Sequence, residues 1–564
     1  MEEVARMQRK IRLLASMSTA LIFASVVVLL AAIGSARSMA AAYERPNIVL
    51  VVTDDLTKKD YFDLENNLGF FTSGGTFFQN AFVTTALCCP SRASTLTGLY
   101  AHNHHIHQHI DPGTGYEQYH AEGYDENDLP FWLKNSGYET GLVGKYMNKY
   151  HARLDGIPAG WSDWYGANDP SASWTLNENG TVRIYPQDPG ATGYEPWEDV
   201  LGDKAVEFVA KAHASGKPFF LWYGTNAPHA PEPVSPQDKD RVGTWPAYDP
   251  PSFNERDVSD KPQWVRSLPL PPANQQLALK QKRQERLTSM LAVSRNLARL
   301  KDELRKKGEL SNTYLILTSD NGYHLGQHRL SAGKMTAYEE DMRVPLAISG
   351  PGVAAGDAKH TVLNTDLAPT IADFAGITPR LVPDGRSFAP LLAKGRSGIV
   401  PEQFRRRFLE ENWQGPIPTP TGTSLFPAPT NFAVRGPSFL YNSYVTGETE
   451  YYELTRDPYQ LANERISGTR KEYLDRLRTR LRHCQGAECR RAEGVQDASA
   501  GRKRTATVGE SFPLKSVRPA SYSPSVDLGA FSEARLHDVL RSSAPDMAGR
   551  GTRKMAPWHI HTFL

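Results

Sequence analysis

The sequence predicts an α/β protein: a mainly parallel sheet sandwiched by helices, with a smaller second part toward the C-terminus. Three observations carry that expectation. Apolar runs alternate with helical patterns along the chain, as strands joined by crossover helices require. The runs are continuous, which is the pattern of strands buried on both faces. At 564 residues the chain exceeds one ordinary domain and has room for a large domain plus a smaller one.

The first run is Asn47-Ile48-Val49-Leu50-Val51-Val52-Thr53. Similar runs cover residues 219–223, 313–318 and 346–349. Residues 274–307, rich in Leu, Lys, Arg and Gln, read as a long helix between strands. Ligands of such sheets sit beyond the carboxyl ends of the strands, and polar residues gather there in this sequence. Asp54-Asp55 follows the first run, and Asp320-Asn321-Gly322 follows the run ending at Ser319. Together the two clusters could supply four oxygen side chains to one hard cation. Either pair alone is more often a turn or a helix cap.

Composition narrows the function classes. With 40% hydrophobic and 22% charged residues the chain is neither wholly disordered nor collagen-like. Lys plus Arg number 64 and Asp plus Glu 62, a net +2 that argues against a dedicated nucleic-acid binder. That charge is unevenly placed. Residues 1–40 carry +3 and residues 491–564 carry +4, which leaves −5 on residues 41–490. Arg6, Arg9, Lys10 and Arg12 precede an uncharged stretch from Leu13 to Ala36, and Ser38-Met39-Ala40 follows as a small-x-small site. Residues 1–40 therefore read as a signal peptide, or as a membrane anchor if retained. Either reading exports the body: secreted, periplasmic or at the cell surface. Residues 491–564 are rich in Ser, Ala, Arg, Gly and Pro without an apolar period, and read as a disordered or weakly attached tail.

The most specific stretch is Cys88-Cys89-Pro90-Ser91-Arg92-Ala93-Ser94-Thr95-Leu96-Thr97-Gly98. It matches the signature C-x-P-S-R-x-S-x-L-T-G at every fixed position, and on it the chain resembles the type I sulfatases of the alkaline-phosphatase superfamily. The resemblance covers roughly residues 44–490 and is to the N-acetylglucosamine-6-sulfatase and arylsulfatase branch. Further shared stretches are Ala86-Leu87, His102-Asn103-His104-His105, Gly144-Lys145-Tyr146, Ala227-Pro228-His229 and Thr318-Ser319-Asp320-Asn321-Gly322-Tyr323-His324. Tyr452-Glu453-Leu454-Thr455 with Asp457-Pro458-Tyr459 resembles the family's C-terminal strand and turn.

The resemblance implies an alkaline-phosphatase-like catalytic domain over 44–395. A C-terminal α+β subdomain over 396–490, with a short antiparallel sheet, would close one side of the pocket. It implies hydrolysis of a sulfate ester, on a small molecule or a glycan, to an alcohol or phenol plus sulfate. Cys88 would be oxidised to formylglycine by a formylglycine-generating enzyme. One hydroxyl of the hydrated aldehyde would attack sulfur, and the other would later expel sulfate. Asp54, Asp55, Asp320 and Asn321, with the group made from Cys88, would hold Ca²⁺, Mg²⁺ being the alternative hard cation. Arg92 would pair with the diol. Lys145, His229 and Lys334 would contact the sulfate, and His229 or a neighbour would protonate the leaving oxygen. One departure matters: Lys145 is followed by Tyr146-Met147-Asn148, without the His that many sulfatases carry two residues on. The base for sulfate release stays open, with His324 a candidate whose other reading is an orienter of Asp320. The competing functions are a phosphonate monoester or phosphodiester hydrolase of the same superfamily, and a non-catalytic glycan-binding surface protein.

Several smaller features remain. His102, His104, His105, His107 and His109 form a dense tract that reads as pocket wall or exposed loop ahead of a zinc site. Cys89 reads as a small buried residue. Cys484 and Cys489 bracket a four-residue loop, a local disulfide in an oxidising compartment and two free thiols otherwise. Asn179-Gly180-Thr181 matches the N-glycosylation pattern, which occurs often by chance. Specificity is expected in loops at 150–196 and 413–433.

Overall fold

A computed structural model describes residues 45–68, 74–168, 174–393, 398–413 and 428–494. The expected export segment, the tail from 495 onward and most of the 413–433 loop lie outside these residues. No helix among the described residues is long and apolar enough to cross a membrane.

The larger sheet contains β1 (Asn47–Thr53), β2 (Thr76–Phe82), β3 (Glu139–Lys145), β4 (Asp163–Ala167), β5 (Trp174–Glu178), β6 (Thr181–Tyr185), β7 (Phe219–Gly224), β8 (Thr313–Ser319), β9 (Leu346–Ser349) and β10 (Gly356–Leu363). Their order is β10-β2-β9-β8-β1-β7-β3-β4-β5-β6. The central block β8-β1-β7-β3-β4 is parallel throughout. Alternate residues of β1 enter two different cores. Ile48, Leu50 and Val52 pack with α1 (Cys88–Thr97), whereas Val49 and Val51 pack with α2 (Trp197–Ser215) and α3 (Ala273–Lys306). This two-sided burial is why the first run shows no polar alternation. Each such side chain contributes about 1.5–3 kcal/mol on burial.

The sheet is mixed at its margins. Residues 346–349 share the apolar character of the parallel runs, yet β9 lies antiparallel to both β8 and β2. No crossover helix separates β8 from β9; the connection folds back over the strand ends and carries His324 and Lys334. The 150–196 region, expected as loop, contains β4 and the antiparallel hairpin β5–β6. Asn179 (φ 52°) and Gly180 (φ 93°) are the hairpin's central pair, the left-handed geometry for which Asn-Gly is suited.

A separate antiparallel sheet contains β11 (Phe408–Asn412), β12 (Asn431–Arg435), β13 (Phe439–Tyr444) and β14 (Thr449–Glu453). Helices α4 (Gly468–Arg482) and α5 (Ala487–Ala492) follow it. One apolar cluster joins this sheet to Phe82, Val83, Tyr338 and Val344 of the larger part. Residues 491–494, read above as the start of the tail, belong to the body instead. Glu493 is buried, accepts from Tyr100 and Arg405 at 2.7 and 2.9 Å, and pairs with Arg386. Ordering the last turn pairs the buried Arg405 and the part-buried Arg386, which composition alone does not reveal.

Candidate active site

The parallel strand ends of β1, β3, β7 and β8 converge on one buried cluster. Asp54 and Asp55 leave β1, and Asp320 and Asn321 leave β8, its neighbour in the sheet. The Asp320 N–H donates to the Thr53 carbonyl at 3.0 Å, and the Asp55 N–H donates to Asp320 Oδ1 at 3.1 Å. Asn321 Nδ2 donates to Asp55 Oδ1 at 2.6 Å. Lys145 ends β3, just past Gly144, where a Cβ would collide with the Gly224 carbonyl oxygen of β7. The glycine thus lets β3 run close enough to bring Lys145 Nζ to 2.5 Å from Asp54 Oδ2.

Cys88 is the first residue of α1, whose ten residues are all buried. Its Sγ lies 3.5 Å from Asp54 Oδ1 and 2.7 Å from Lys334 Nζ, and Lys334 also donates to Asp55 Oδ1 at 2.5 Å. One turn on, Arg92 donates from Nε to Asp320 Oδ2 at 2.8 Å and from Nη1 to the Lys145 carbonyl at 2.7 Å. His229 Nε2 stands 3.8 Å from Asp55 Oδ2, and its Nδ1 donates to the Ala230 carbonyl at 2.5 Å. The structure therefore brings Asp54, Asp55, Cys88, Arg92, Lys145, His229, Asp320, Asn321 and Lys334 together. His324 has a different partner from the one considered: Nδ1 lies 2.9 Å from both oxygens of Asp341, not of Asp320. Gly333 accommodates the ring, since a Cβ there would sit 2.9 Å from His324 Nε2.

Electrostatics keep the acids ionised. Burial pushes the Asp54 carboxyl up, but Lys145 and His229 outweigh it and hold the carboxyl at about 2. Asp55 is likewise lowered against burial, by Lys334 and His229. Burial pushes the Cys88 thiol well above its ordinary value, even against Lys145 and Lys334. An unmodified Cys88 is thus a neutral thiol and a poor nucleophile.

The cluster fits a hard cation. Ligand atoms of Asp54, Asp55, Cys88 and His229 lie within 4.8 Å of one another. Asp320 adds a carboxylate, and the buried Asn321 Oδ1 has no partner among the described residues. Donors that are mainly oxygen favour Ca²⁺ or Mg²⁺ over zinc.

The histidine tract is dispersed. His102 bridges Glu411 (3.0 Å) and the Cys484 carbonyl (3.1 Å), His104 meets Ser94 Oγ at 2.9 Å, and His107 stacks on Trp413. The cysteines near His102 are closed in the Cys484–Cys489 disulfide and offer no thiolate to a metal. Cys89 is buried, as expected.

Two residues escaped the sequence reading. Glu198, at the start of α2, accepts the Asn226 and Ala227 N–H groups at 2.9 and 2.8 Å and so holds the turn that carries His229. Arg286, on α3, donates to the carbonyls of Asp55 (2.6 Å) and Pro228 (3.0 Å).

Comparison with known proteins gives this cluster a family. The sulfatase family model matches residues 46–377, and the model for the N-sulphoglucosamine sulphohydrolase C-terminal region matches 326–487. An arylsulfatase of Volvox carteri is 32% identical over 525 residues, covering 82% of this chain and 79% of that protein. The N-acetylglucosamine-6-sulfatase of Homo sapiens is 33% identical over 500 residues, covering 81% and 88%. Among solved structures, a protein in complex with its substrate D-glucosamine-2-N,6-O-disulfate aligns with TM-score 0.62 and 23% identity over 77% of this chain and 97% of that one. The phosphonate monoester hydrolase of Agrobacterium radiobacter aligns with TM-score 0.59 and 21% identity over 77% and 95%. These two structures share the fold. The family match and the aligned relatives together make this chain a member of the sulfatase family, a hydrolase of sulfuric esters.

Proposed function

We propose that the chain removes sulfate from a sulfated sugar outside the cytoplasm, through formylglycine made from Cys88 and a Ca²⁺ ion held by Asp54, Asp55, Asp320 and Asn321. The observation that carries this reading is the position of Cys88: buried at the head of the signature helix, between Lys334 and Asp54. Its neutral thiol is unsuited to attack, which favours a modified side chain. Hydrated formylglycine supplies two hydroxyls on one carbon, one for attack on sulfur and one for releasing it. Bound Ca²⁺ supplies fixed positive charge beside the ester oxygens.

The chain's own residues supply the rest. Lys145 and Lys334 place two ammonium groups beside Cys88, where the sulfate oxygens gather charge. Arg92 fixes Asp320 and the end of β3, which sets the direction of Lys145. His229 donates Nδ1–H to Ala230, so Nε2 is the ring atom turned to the site, and the doubly protonated ring gives its Nε2 proton to the leaving oxygen. Asp341 holds His324 through Nδ1, which leaves Nε2 to take the proton when sulfate is released. The sugar substrate is supported by the N-acetylglucosamine-6-sulfatase relatives and by the neighbour bound to a glucosamine disulfate.

The test measures sulfate release from glucosamine 6-sulfate and an aryl sulfate, and phosphate-ester cleavage at matched concentrations. Preference for the sulfated sugar is expected, and preference for phosphodiesters would sink the reading. Peptide mass spectrometry across Cys88 checks the chemistry. A wholly unmodified thiol in active enzyme rules formylglycine out.

A further inference from the structure

Along α3, buried residues 279, 283, 286, 290, 293, 297, 300 and 304 recur in alternating steps of four and three. That is the stripe a helix turns toward a core. Six are Leu, Met or Val, and the other two are arginines. Arg283 is explained by Asp60 and Asp63, both within its reach. Arg286 is 1% exposed, yet its two side-chain bonds go to main-chain carbonyls, and its Nε has no partner among the described residues. Burying a cation this way costs several kcal/mol, so the position asks for a reason beyond packing.

The partners supply one. Nη2 bonds the carbonyl of Asp55, and Nη1 bonds the carbonyl of Pro228, the residue before His229. The guanidinium stacks on Tyr323, two residues after Asn321, with 4.3 Å to the ring centroid. Three strand ends, those of β1, β7 and β8, therefore meet on one planar group. Asp55 also has φ +74°, a left-handed conformation that costs a non-glycine residue about 1–3 kcal/mol and persists only where its surroundings hold it. The Arg286 bond fixes the carbonyl on the far side of that strained residue.

We propose that Arg286 is a positioning residue for catalysis, setting the Asp55 carboxylate and the His229 ring relative to each other by fastening both loops at once. The proposal rests on the reading of Asp55 as a cation ligand and His229 as the acid. Groups that orient ligands in this indirect way typically change metal affinity or activity 10–100-fold when replaced. A lysine has one nitrogen and no planar fork, so it does not reproduce two divergent bonds and a stacked face.

The experiment compares wild type with Arg286→Lys and Arg286→Met. Melting temperature reports folding, calorimetric titration of Ca²⁺ without substrate reports the Asp55 side, and kcat and KM report the reaction. Expected for a folded variant are a roughly 10–100-fold fall in kcat, a fall of similar size in Ca²⁺ affinity and a smaller change in KM. A lower melting temperature with kcat and Ca²⁺ affinity within about threefold of wild type, below that expected range, overturns the proposal. Arg286→Lys keeps the charge and stem, and decides the matter if the Met variant does not fold. A wild-type protein that neither releases sulfate nor binds Ca²⁺ would instead mark failure of the underlying functional reading.

Discussion

Replacing Glu198 by glutamine should alter the pH dependence of stability more than stability at any one low pH. Glu198 is 1% exposed; Oε1 accepts two backbone N–H groups and Oε2 has no partner among the described residues. Burial pushes its carboxyl from 4.5 up to about 7, held back by the N–H bonds of Ala227 and Asn226. Between pH 4.5 and about 7 the folded state keeps a proton that the unfolded state has lost. Stability therefore falls as pH rises through this window, by about 1.4 kcal/mol per pH unit and about 3 kcal/mol in all. Glutamine keeps an accepting oxygen for both N–H groups and does not ionise. Relative to wild type, Glu198→Gln should gain about 3 kcal/mol on going from pH 4.5 to above pH 7. An unpaired amide adds a pH-independent offset of about 1–3 kcal/mol. Urea unfolding of both proteins in divalent-free buffer, at half-unit steps from about pH 4.5 to pH 8 to span that window, measures the difference. A difference that stays flat with pH would refute a buried, proton-holding Glu198.

Two further outcomes follow from the same structure. Arg92→Leu leaves the Asp320 carboxylate buried without its guanidinium partner, and should cost about 3–5 kcal/mol in denaturant unfolding. An unchanged midpoint would show that the pair carries no stability. His102 is raised in the folded state, because Glu411 and the Cys484 carbonyl outweigh the opposing effect of burial. Its contribution is complete below about pH 6.5 and is lost as pH rises through the raised value. His102→Gln should therefore cost about 1.5–3 kcal/mol at pH 6 and distinctly less at pH 9, and an equal cost at both would contradict the charged bridge.

Much of the site was legible because its residues sit where local pattern and chemistry coincide. Asp54-Asp55 and Asp320-Asn321 directly follow continuous apolar runs, and a doubly buried strand can present polar groups only at its ends. Cys88 and Arg92 lie one turn apart within a single signature, so one helix places both. The Cys484–Cys489 bridge was legible from the short span between the two cysteines and the expectation of export. β9 was less legible: four apolar residues carry no sign of strand direction, which the fold-back of residues 320–345 decides. The β5–β6 hairpin is hard to read from sequence because its Asn-Gly turn also fits a glycosylation triplet.

The sequence by itself determined the family, the sheet's central strands and the residues that gather in one buried charged cluster. Those follow from short-range order: apolar runs, a fixed-spacing signature and polar residues at run ends. Only the tertiary structure decided how these groups are held. Arg286 lies 231 residues from Asp55, and Glu198 lies 28 from Asn226. Arg286 shares α3 with its buried apolar face, where periodicity reports burial without naming the partner. His324 met Asp341 rather than Asp320 for a related reason, since the fold-back of the chain between them, 17 residues apart in sequence, set the pairing. The donors of a buried polar residue must find acceptors, but which acceptors lie in reach depends on how distant segments pack.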